Sequence, residues 1–394
     1  MPAGLAERTR GLQPIGAAPE SMDLSRFSCR SMAPYLSRAL GMPIERLAEA
    51  FRPAVETDLP RILALRRAVA GDLWWNDEAY LRWRYFRCGV EPSAYWVFER
   101  EGEVIGACGL EPVVLVVDGQ ARRAMRALDI MLRPDVEGRG LGAFIYLALF
   151  ERFPIVTATG SNERSHRLIS RTFRHVLDFG CWKAPVRTAP VLEERLRPRL
   201  AVGPAAAIAD RLLALERRLR RRNAPFEVRE MADFDERVTE LSVACEGPGR
   251  VMVRRSAEYL NWRFVENPRC RYVVLGGFDG RRLLGYVVVR LNLARPNPRR
   301  VAEIVDWLAA PDAGDWTTRV LVGAALDRLA AQDAGLVVCM AFDEAVGPTL
   351  SACGLRFRPR ERLPFFVRAA DPALHARLCS PAGWRLTLGD FDVE

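Results

Sequence analysis

Histidine, lysine and paired cysteines are scarce in this sequence. It contains three His and a single lysine, Lys183, and its nine Cys occur singly, without any C-x-x-C pair. Protein metal sites are built mostly from clustered Cys and His, so we expect no metal centre. The longest purely aliphatic run, residues 113–117, is far shorter than the ~20 residues that span a bilayer. Residues 1–8 lack the apolar core of a signal peptide. The sequence therefore predicts neither a transmembrane segment nor a secretory signal.

Charge of one sign is in excess. The 394 residues include 58 Lys and Arg against 49 Asp and Glu, a net charge of +9 that is carried almost entirely by Arg. Such a surface favours an anionic partner: a cofactor, a nucleic acid or a membrane face. No basic block is interleaved with aromatic residues, so we do not expect a nucleic-acid partner. Cys108 and Cys339 lie in apolar runs, where a free thiol is usual, which predicts a reducing, cytoplasmic location.

Residues 128–149 combine three features that indicate a ligand. Leu128–Leu132 is mostly apolar, as in a buried strand, and Pro134 ends it. The segment Gly138-Arg-Gly-Leu-Gly142 then allows backbone conformations closed to other residues, and an apolar helix follows. A strand, a glycine-rich loop and a helix N-terminus direct backbone N–H groups towards one point, where an anion binds. The first hypothesis is therefore a phosphate-bearing ligand.

Three interpretations fit this segment. The first is a connection without a ligand. The second is a dinucleotide site, because Gly138–Ala143 matches G-x-G-x-x-A and Glu163 stands near the position of a ribose-binding acid. The third is the acyl-CoA loop of the GNAT superfamily of N-acyltransferases: Glu137–Gly142 resembles its pattern [QR]-x-x-G-x-[GA], with Glu137 in place of Gln or Arg. Residues 133–137 argue against the dinucleotide site, whose first glycine follows the strand directly.

An internal repeat extends the resemblance along the chain. Matching positions are 177 to 179 residues apart: Asp58 and Asp235, Trp83 and Trp262, Pro134 and Pro311. This period far exceeds that of a solenoid and predicts a duplicated domain. The second copy keeps Asp306 and Pro311 but has one glycine, Gly314, where the first has three. From about residue 51 to 370, the chain resembles a tandem GNAT protein with a degenerate second copy.

The resemblance implies an α+β fold of two tandem GNAT-like domains, each a mixed, mostly antiparallel sheet flanked by helices. We place these domains at residues 51–185 and 226–370. Residues 1–50 are expected to form a partly disordered N-terminal extension, residues 186–225 a helical connector and residues 371–394 a C-terminal tail.

Local patterns agree with this outline. They predict a helix within residues 32–51, a strand and helix from residue 51, an aromatic helix at 78–86, hairpins at 100–103 and at Asp118-Gly119, a strand at 155–159 and a helix at 162–173.

The resemblance also implies acetyl-CoA or another acyl-CoA as cofactor. The backbone of residues 130–132 would contact the pantetheine and the N–H groups of residues 138–143 the pyrophosphate, with Arg139 adding charge-assisted contacts. The expected cofactor-binding residues are Ile130, Met131, Leu132, Glu137, Gly138, Arg139, Gly140, Leu141, Gly142, Ala143 and Asn162. Glu137 and Asn162 also suit helix caps.

In the GNAT reaction an amine attacks the thioester directly, and a carboxylate near the strand end can accept the proton. Asp129 is the catalytic candidate, although Asp306 at the same place in the second copy leaves a purely structural role open. The Tyr that the family uses as general acid is missing: its position falls at Ile169, and neither Ser170 nor Tyr146 matches the motif. A thiol pKa of about 8.5 makes CoA a tolerable leaving group without an acid.

Four residues are candidates for the acceptor wall. Trp83 and Arg84 lie on the helix that borders the acceptor in this family, but their recurrence as Trp262-Arg263 favours packing. Trp74 and Trp75 do not recur and would suit a sugar. We therefore hypothesise an N-acyltransferase that acts on an amine of a small molecule, sugar or peptide. The alternatives are a non-catalytic CoA-binding or scaffolding protein and an enzyme whose acyl donor is a carrier protein docked on the Arg-rich surface.

Overall fold

The computed structural model describes residues 28–71, 76–89, 91–160, 163–188, 203–221, 226–291 and 300–391. Within them the chain forms fifteen strands and twelve α-helices. The strands are β1 Phe51–Pro53, β2 Tyr95–Arg100, β3 Glu103–Val117, β4 Gln120–Leu132, β5 Ile155–Thr159, β6 Arg174–Pro185, β7 Glu227–Met231, β8 Val251–Val253, β9 Val273–Asp279, β10 Arg282–Leu291, β11 Val301–Ala309, β12 Leu336–Phe342, β13 Arg356–Phe357, β14 Leu363–Ala369 and β15 Trp384–Thr387. The helices are α1 Cys29–Leu40, α2 Ile44–Ala50, α3 Leu59–Ala70, α4 Glu78–Leu81, α5 Leu141–Arg152, α6 Glu163–Thr172, α7 Gly203–Arg221, α8 Glu236–Cys245, α9 Ala257–Leu260, α10 Gly314–Ala331, α11 Val346–Ala352 and α12 Pro372–Cys379.

The region before β1 is helical. Where the sequence predicted one helix within residues 32–51, there are two, α1 and α2. Gly41 separates them because it adopts a φ of 64°, a left-handed conformation that ends α1. The apolar residues Leu36, Leu40 and Leu47 are buried, but Ile44, at the start of α2, is 46% exposed.

The hairpin of β3 and β4 is longer than its sequence pattern suggested. The sequence pattern predicts four short strands here, at residues 104–110, 113–117, 121–125 and 128–132. Instead, two strands pair along nearly their whole length, from Gly106 opposite Leu132 to Val117 opposite Gln120. Asp118 and Gly119 form the turn with φ values of 51° and 81°, which suits the twist of a tight hairpin. This long hairpin carries the Asp129 strand into the centre of the molecule.

All described strands join one continuous sheet, in the order β13-β6-β14-β5-β4-β3-β8-β15-β12-β11-β10-β9-β7, with β2 on β3 and β1 on β2. Only the β4–β5, β11–β12 and β8–β15 pairs are parallel. The predicted mixed, mostly antiparallel α+β fold is thereby confirmed.

The same order of elements occurs twice. A helical turn that continues as a π-helix (Arg82–Phe86 and Asn261–Val265) precedes a hairpin in each half. A further strand, a 3₁₀ turn (Pro134–Val136 and Pro311–Ala313), a helix and a parallel strand follow. This correspondence supports the duplication that the repeat predicts.

The two halves exchange strands. β6 of the first half pairs with β12 of the second, from Pro185 opposite Leu336 to Gly180 opposite Ala341. Reciprocally, β14 of the second half pairs with β5 of the first. Residue 185 therefore does not separate two independent sheets. The C-terminal residues also belong to this assembly, since Trp384 and Phe391 are buried.

Candidate acyl-CoA and acceptor site

An opening begins where β4 and β5 part. The two parallel strands pair from Met125 opposite Val156 to Ala127 opposite Ala158, and the pairing stops there. Beyond this point the remaining residues of β4, 128–132, pair with β3 on one side only. Their other backbone edge has no strand partner among the described residues. Such an edge can bind an extended ligand that carries amides, as an added strand would.

Asp129 lies at this opening, on a bulge of β4. The pairing register shifts between Ala107 and Gly109, so that two residues of β4 oppose one residue of β3. Asp129 has a φ of 44°, a left-handed conformation that non-glycine residues rarely adopt. Bulges often redirect a side chain beside an active site.

The Asp129 carboxylate is held through one oxygen. Arg66 Nη1 donates to Oδ2 at 3.0 Å, and the Tyr85 hydroxyl donates to the same atom at 2.7 Å. No hydrogen bond to Oδ1 exists among the described residues, and the side chain is 18% exposed. Burial opposes ionisation, but the charge of Arg66 and the hydrogen bonds from Tyr85 and Arg66 hold the pKa of Asp129 below its ordinary value. A carboxylate with one available oxygen therefore faces the opening.

Asp306, the corresponding residue of β11, has a different environment. Arg255 donates to both of its oxygens, at 3.1 and 3.2 Å, Tyr286 donates to one and Thr387 to the other. Asp306 is fully buried. Its role is structural, and it does not offer an oxygen to a ligand.

The predicted phosphate loop has the backbone that its glycines suggested. Gly138 and Gly140 adopt φ values of 75° and 84°, and Gly140 is the N-cap of α5. A Cβ at Gly142 would lie 2.8 Å from Leu168 Cδ2 of α6, so glycine allows α5 and α6 to pack closely here. The first N–H groups of α5 have no acceptor within the helix and are available to an anion.

Two side chains of this loop had expected roles. Glu137 was expected to cap the helix, but Gly140 occupies the cap position, and no side chain of the described residues caps α5. Arg139 was expected at the pyrophosphate, which stays a prediction; its Nη1 donates to the Ala39 carbonyl at the end of α1, at 3.2 Å. Helix α1 packs so closely here that a Cβ at Gly140 would lie 2.9 Å from Tyr35. The N-terminal helix thus borders the loop.

Trp83 and Arg84 are not in the acceptor wall. Trp83 Nε1 donates to the Trp262 carbonyl at 3.0 Å, Trp262 donates in return, and the two rings stack 5.2 Å apart. Arg84 is fully buried and donates to Glu111 at 3.0 Å. Both residues join the two halves, as their recurrence suggested, and are inaccessible to a substrate.

Three further candidates, Asn162, Trp74 and Trp75, lie outside the described residues. Ile169, at the position of the family's Tyr, is buried. Tyr146 is also buried, which raises the pKa of its hydroxyl and makes it a poor proton donor.

The sequence interpretation missed Arg66, Tyr85 and Tyr95. Arg66 is fully buried in α3 and also donates to the Tyr95 hydroxyl at 3.3 Å. One signal was available: Arg66 falls on the apolar face of α3, one turn after Ile62, where a charged residue needs a partner. The partner could not be identified from the helix alone.

Both the sequence and the fold of this chain resemble those of known proteins. The family model described as Acetyltransferase (GNAT) family matches residues 60–173, which include the opening, the loop and α6. The match covers less than a third of the chain and indicates a GNAT-like segment at residues 60–173. This likeness supports acyl transfer as the general activity. No curated protein matches the sequence significantly.

Solved structures share the fold over most of the chain. A GCN5-related N-acetyltransferase from Anabaena variabilis is 12% identical, with 82% of this chain and 72% of that chain covered and a TM-score of 0.55. One from Kribbella flavida is 15% identical, with 83% and 72% covered and a TM-score of 0.55. Saccharomyces cerevisiae N-myristoyltransferase with bound myristoyl-CoA is 10% identical, with 81% and 79% covered and a TM-score of 0.52. At these identities the likeness shows the GNAT fold alone.

Neither a metal cluster nor a membrane helix is found in the part of the chain that the structure describes. No three His, Cys, Asp or Glu residues are placed there to hold a metal ion. None of the helices there combines the length and apolarity needed to cross a membrane.

Proposed function

We propose that this chain is an acyl-CoA-dependent N-acyltransferase, most simply an acetyltransferase, acting on an amine of a small molecule, sugar or peptide. The observation that carries the proposal is one continuous arrangement. The unpaired edge of residues 128–132 leads into a loop with left-handed glycines and then into the N-terminus of α5. This arrangement suits a long ligand with amides at one end and phosphates at the other.

The residues present fit acyl-CoA, which would supply a thioester as acyl donor. The backbone N–H groups of residues 138–143 would hold the pyrophosphate, favoured by the helix dipole. The free edge of residues 130–132 would take the pantetheine amides. The left-handed backbone of Gly138 and Gly140 and the unpaired edge of residues 128–132 support this placement.

On the acceptor side, we propose that Asp129 accepts an N–H of the amine through its free oxygen. Because its pKa is depressed, Asp129 stays ionised and is a weak base. Its main contribution would be to orient the amine and stabilise the positive charge that grows on nitrogen as the N–C bond forms and the C–S bond breaks. The nitrogen then loses its proton to solvent, and CoA leaves as the thiolate. Trp74 and Trp75 remain proposed acceptor-binding residues.

The binding test uses two glycines that both have a positive φ. Gly138 and Gly314 have φ values of 75° and 64°, and a Cβ added at either one would meet no atom within 4 Å. Only Gly138 lies in the proposed phosphate loop. We expect Gly138→Glu to weaken acetyl-CoA binding about tenfold or more by charge repulsion, and Gly314→Glu to leave it unchanged. Isothermal titration calorimetry measures both.

Failure of the wild-type protein to bind acetyl-CoA or myristoyl-CoA at millimolar concentration would refute the proposal. Release of free thiol from each acyl-CoA with a panel of amines, sugars and peptides measures turnover and the preferred acyl length. A specific observation also favours a second candidate, a non-catalytic CoA-binding protein: the buried Ile169 replaces the family's Tyr. CoA binding without turnover across the panel would support that candidate.

A further inference from the structure

We propose that Arg66 and Tyr85 are positioning residues for acyl transfer: they hold one oxygen of Asp129 and so present the other to the N–H of the acceptor amine. This inference rests on the proposed function, because it places the acceptor beside Asp129. It adds two residues that no sequence motif indicated.

The contacts of Asp129 are asymmetric. Both donors, Arg66 Nη1 and the Tyr85 hydroxyl, meet the same oxygen, at 3.0 and 2.7 Å. Arg66 and Tyr85 are fully buried, whereas Asp129 is 18% exposed. Two donors on one oxygen fix the plane of the carboxylate, and the remaining oxygen is the atom that a ligand can reach.

Both donors to Asp129, Arg66 and Tyr85, are themselves held in place. Arg66 Nε donates to Asn76 Oδ1 at 3.0 Å, and Tyr85 packs against Tyr95 with ring centroids 4.8 Å apart. A Cβ at Gly109 would lie 2.6 Å from the Tyr85 ring, so the absence of a side chain there creates the space that the ring occupies. The two donors are therefore pre-organised before any acceptor binds.

The second half of the chain contains the corresponding aspartate, Asp306, without a free oxygen. Asp306 is also held by an Arg and a Tyr, although these come from different elements, and its remaining capacity is taken by the Thr387 hydroxyl at 2.6 Å. Thr387 ends β15, which pairs with the end of β12. A segment of the chain thus fills the second opening and donates to the aspartate. In the first half no described residue does so, and we assign that place to the acceptor amine.

The charged and titratable groups around Asp129 come from four elements. They are Arg66 of α3, Arg84 and Tyr85 of the π-helix, Tyr95 of β2 and Cys108 of β3. The cations and the Tyr85 hydrogen bond favour the ionised carboxylate, so the loss of Arg66 or of the Tyr85 hydroxyl raises the pKa of Asp129. The acid limb of the rate profile then moves to higher pH.

The experiment measures kcat and KM against pH with acetyl-CoA and hydroxylamine, a small nucleophile that does not depend on the acceptor wall. We expect Tyr85→Phe to lower kcat about tenfold or more and to shift the acid limb upward, with the KM for acetyl-CoA unchanged. Arg66→Gln has the larger effect, and Arg66→Lys, which keeps the charge, recovers part of the activity. Tyr286→Phe removes the same hydroxyl from Asp306 and is the matched control, expected to lower only Tm.

The outcomes separate the two proposals. The positioning role would be overturned if Tyr85→Phe and Arg66→Lys turn over with unshifted pH profiles and lose no more kcat than Tyr286→Phe does. The acyltransferase assignment would then still stand. Absence of acetyl-CoA binding in the wild-type protein would remove both. Tyr85→Phe and Arg66→Lys are conservative enough for circular dichroism to confirm a native fold before the kinetics are interpreted.

Discussion

Asp129 and Asp306 stand at corresponding points of β4 and β11, yet only Asp129 faces an opening. The sequence has an aspartate at this position in both copies, and it left both a catalytic and a structural role open for Asp129. The difference lies in the second oxygen, which Thr387 and Arg255 occupy in Asp306 and no described residue occupies in Asp129. Because Thr387 is remote in sequence, no local pattern could separate the two roles.

This difference predicts opposite consequences for the same substitution. Asp129→Asn should lower kcat about a hundredfold or more, because the amide cannot stabilise charge on the amine. Asp306→Asn should lower the free energy of unfolding by up to about 3–5 kcal/mol, because it removes one of the two carboxylates, Asp306 and Asp390, that pair with the buried Arg255. It should spare kcat in the folded protein. Urea denaturation and thiol-release kinetics on both variants provide the measurement. Equal losses of kcat would contradict the distinction.

At the scale of elements, short patterns were informative where the decisive contacts are local. The glycines of the loop, the Asp118-Gly119 turn and the strand before Pro134 were predicted and are present. Contacts between distant elements were not: helix α1 over Gly140, the Arg66–Asp129 pair and the exchange of β6 and β14 join residues far apart in sequence. Strand register and partner choice depend on the assembled sheet, which a period-2 pattern does not encode.

The strand exchange predicts that neither half folds alone. In a fragment ending at residue 188, β5 would lose β14, and β6 would lose β12, β13 and β14, leaving long unpaired edges. We expect this fragment to aggregate or to lack the dispersed NMR spectrum of a folded domain. Co-expression with residues 203–394 should restore a soluble complex. A monomeric, cooperatively unfolding fragment would show that the first half is an independent domain.

At the scale of the whole molecule, one buried carboxylate ties the halves together. Glu111 of β3 accepts from Arg84 and Arg126 of the first half and from Arg263 and Tyr259 of the second, at 2.7 to 3.0 Å. All of the participating charges are buried. Removing one member of such a cluster leaves charges without partners and is strongly destabilising.

The cluster makes stability depend on pH in a defined window. Burial opposes ionisation of Glu111, but Arg263, Arg126 and Arg84 lower its pKa from 4.5 to about 2. Because the pKa of Glu111 is lower in the folded state than in the unfolded state, its ionisation stabilises the fold at pH values above the unfolded-state pKa. This stabilisation, on the order of 3 kcal/mol for this shift, is lost as pH falls from about 5 towards 2. Urea denaturation should therefore show a falling free energy of unfolding across this window. The Glu111→Gln variant should be less stable at pH 7. Its free energy of unfolding should fall less steeply between about pH 5 and pH 2, because glutamine has no proton to gain. An unchanged slope in this variant would assign the acid sensitivity to other carboxylates.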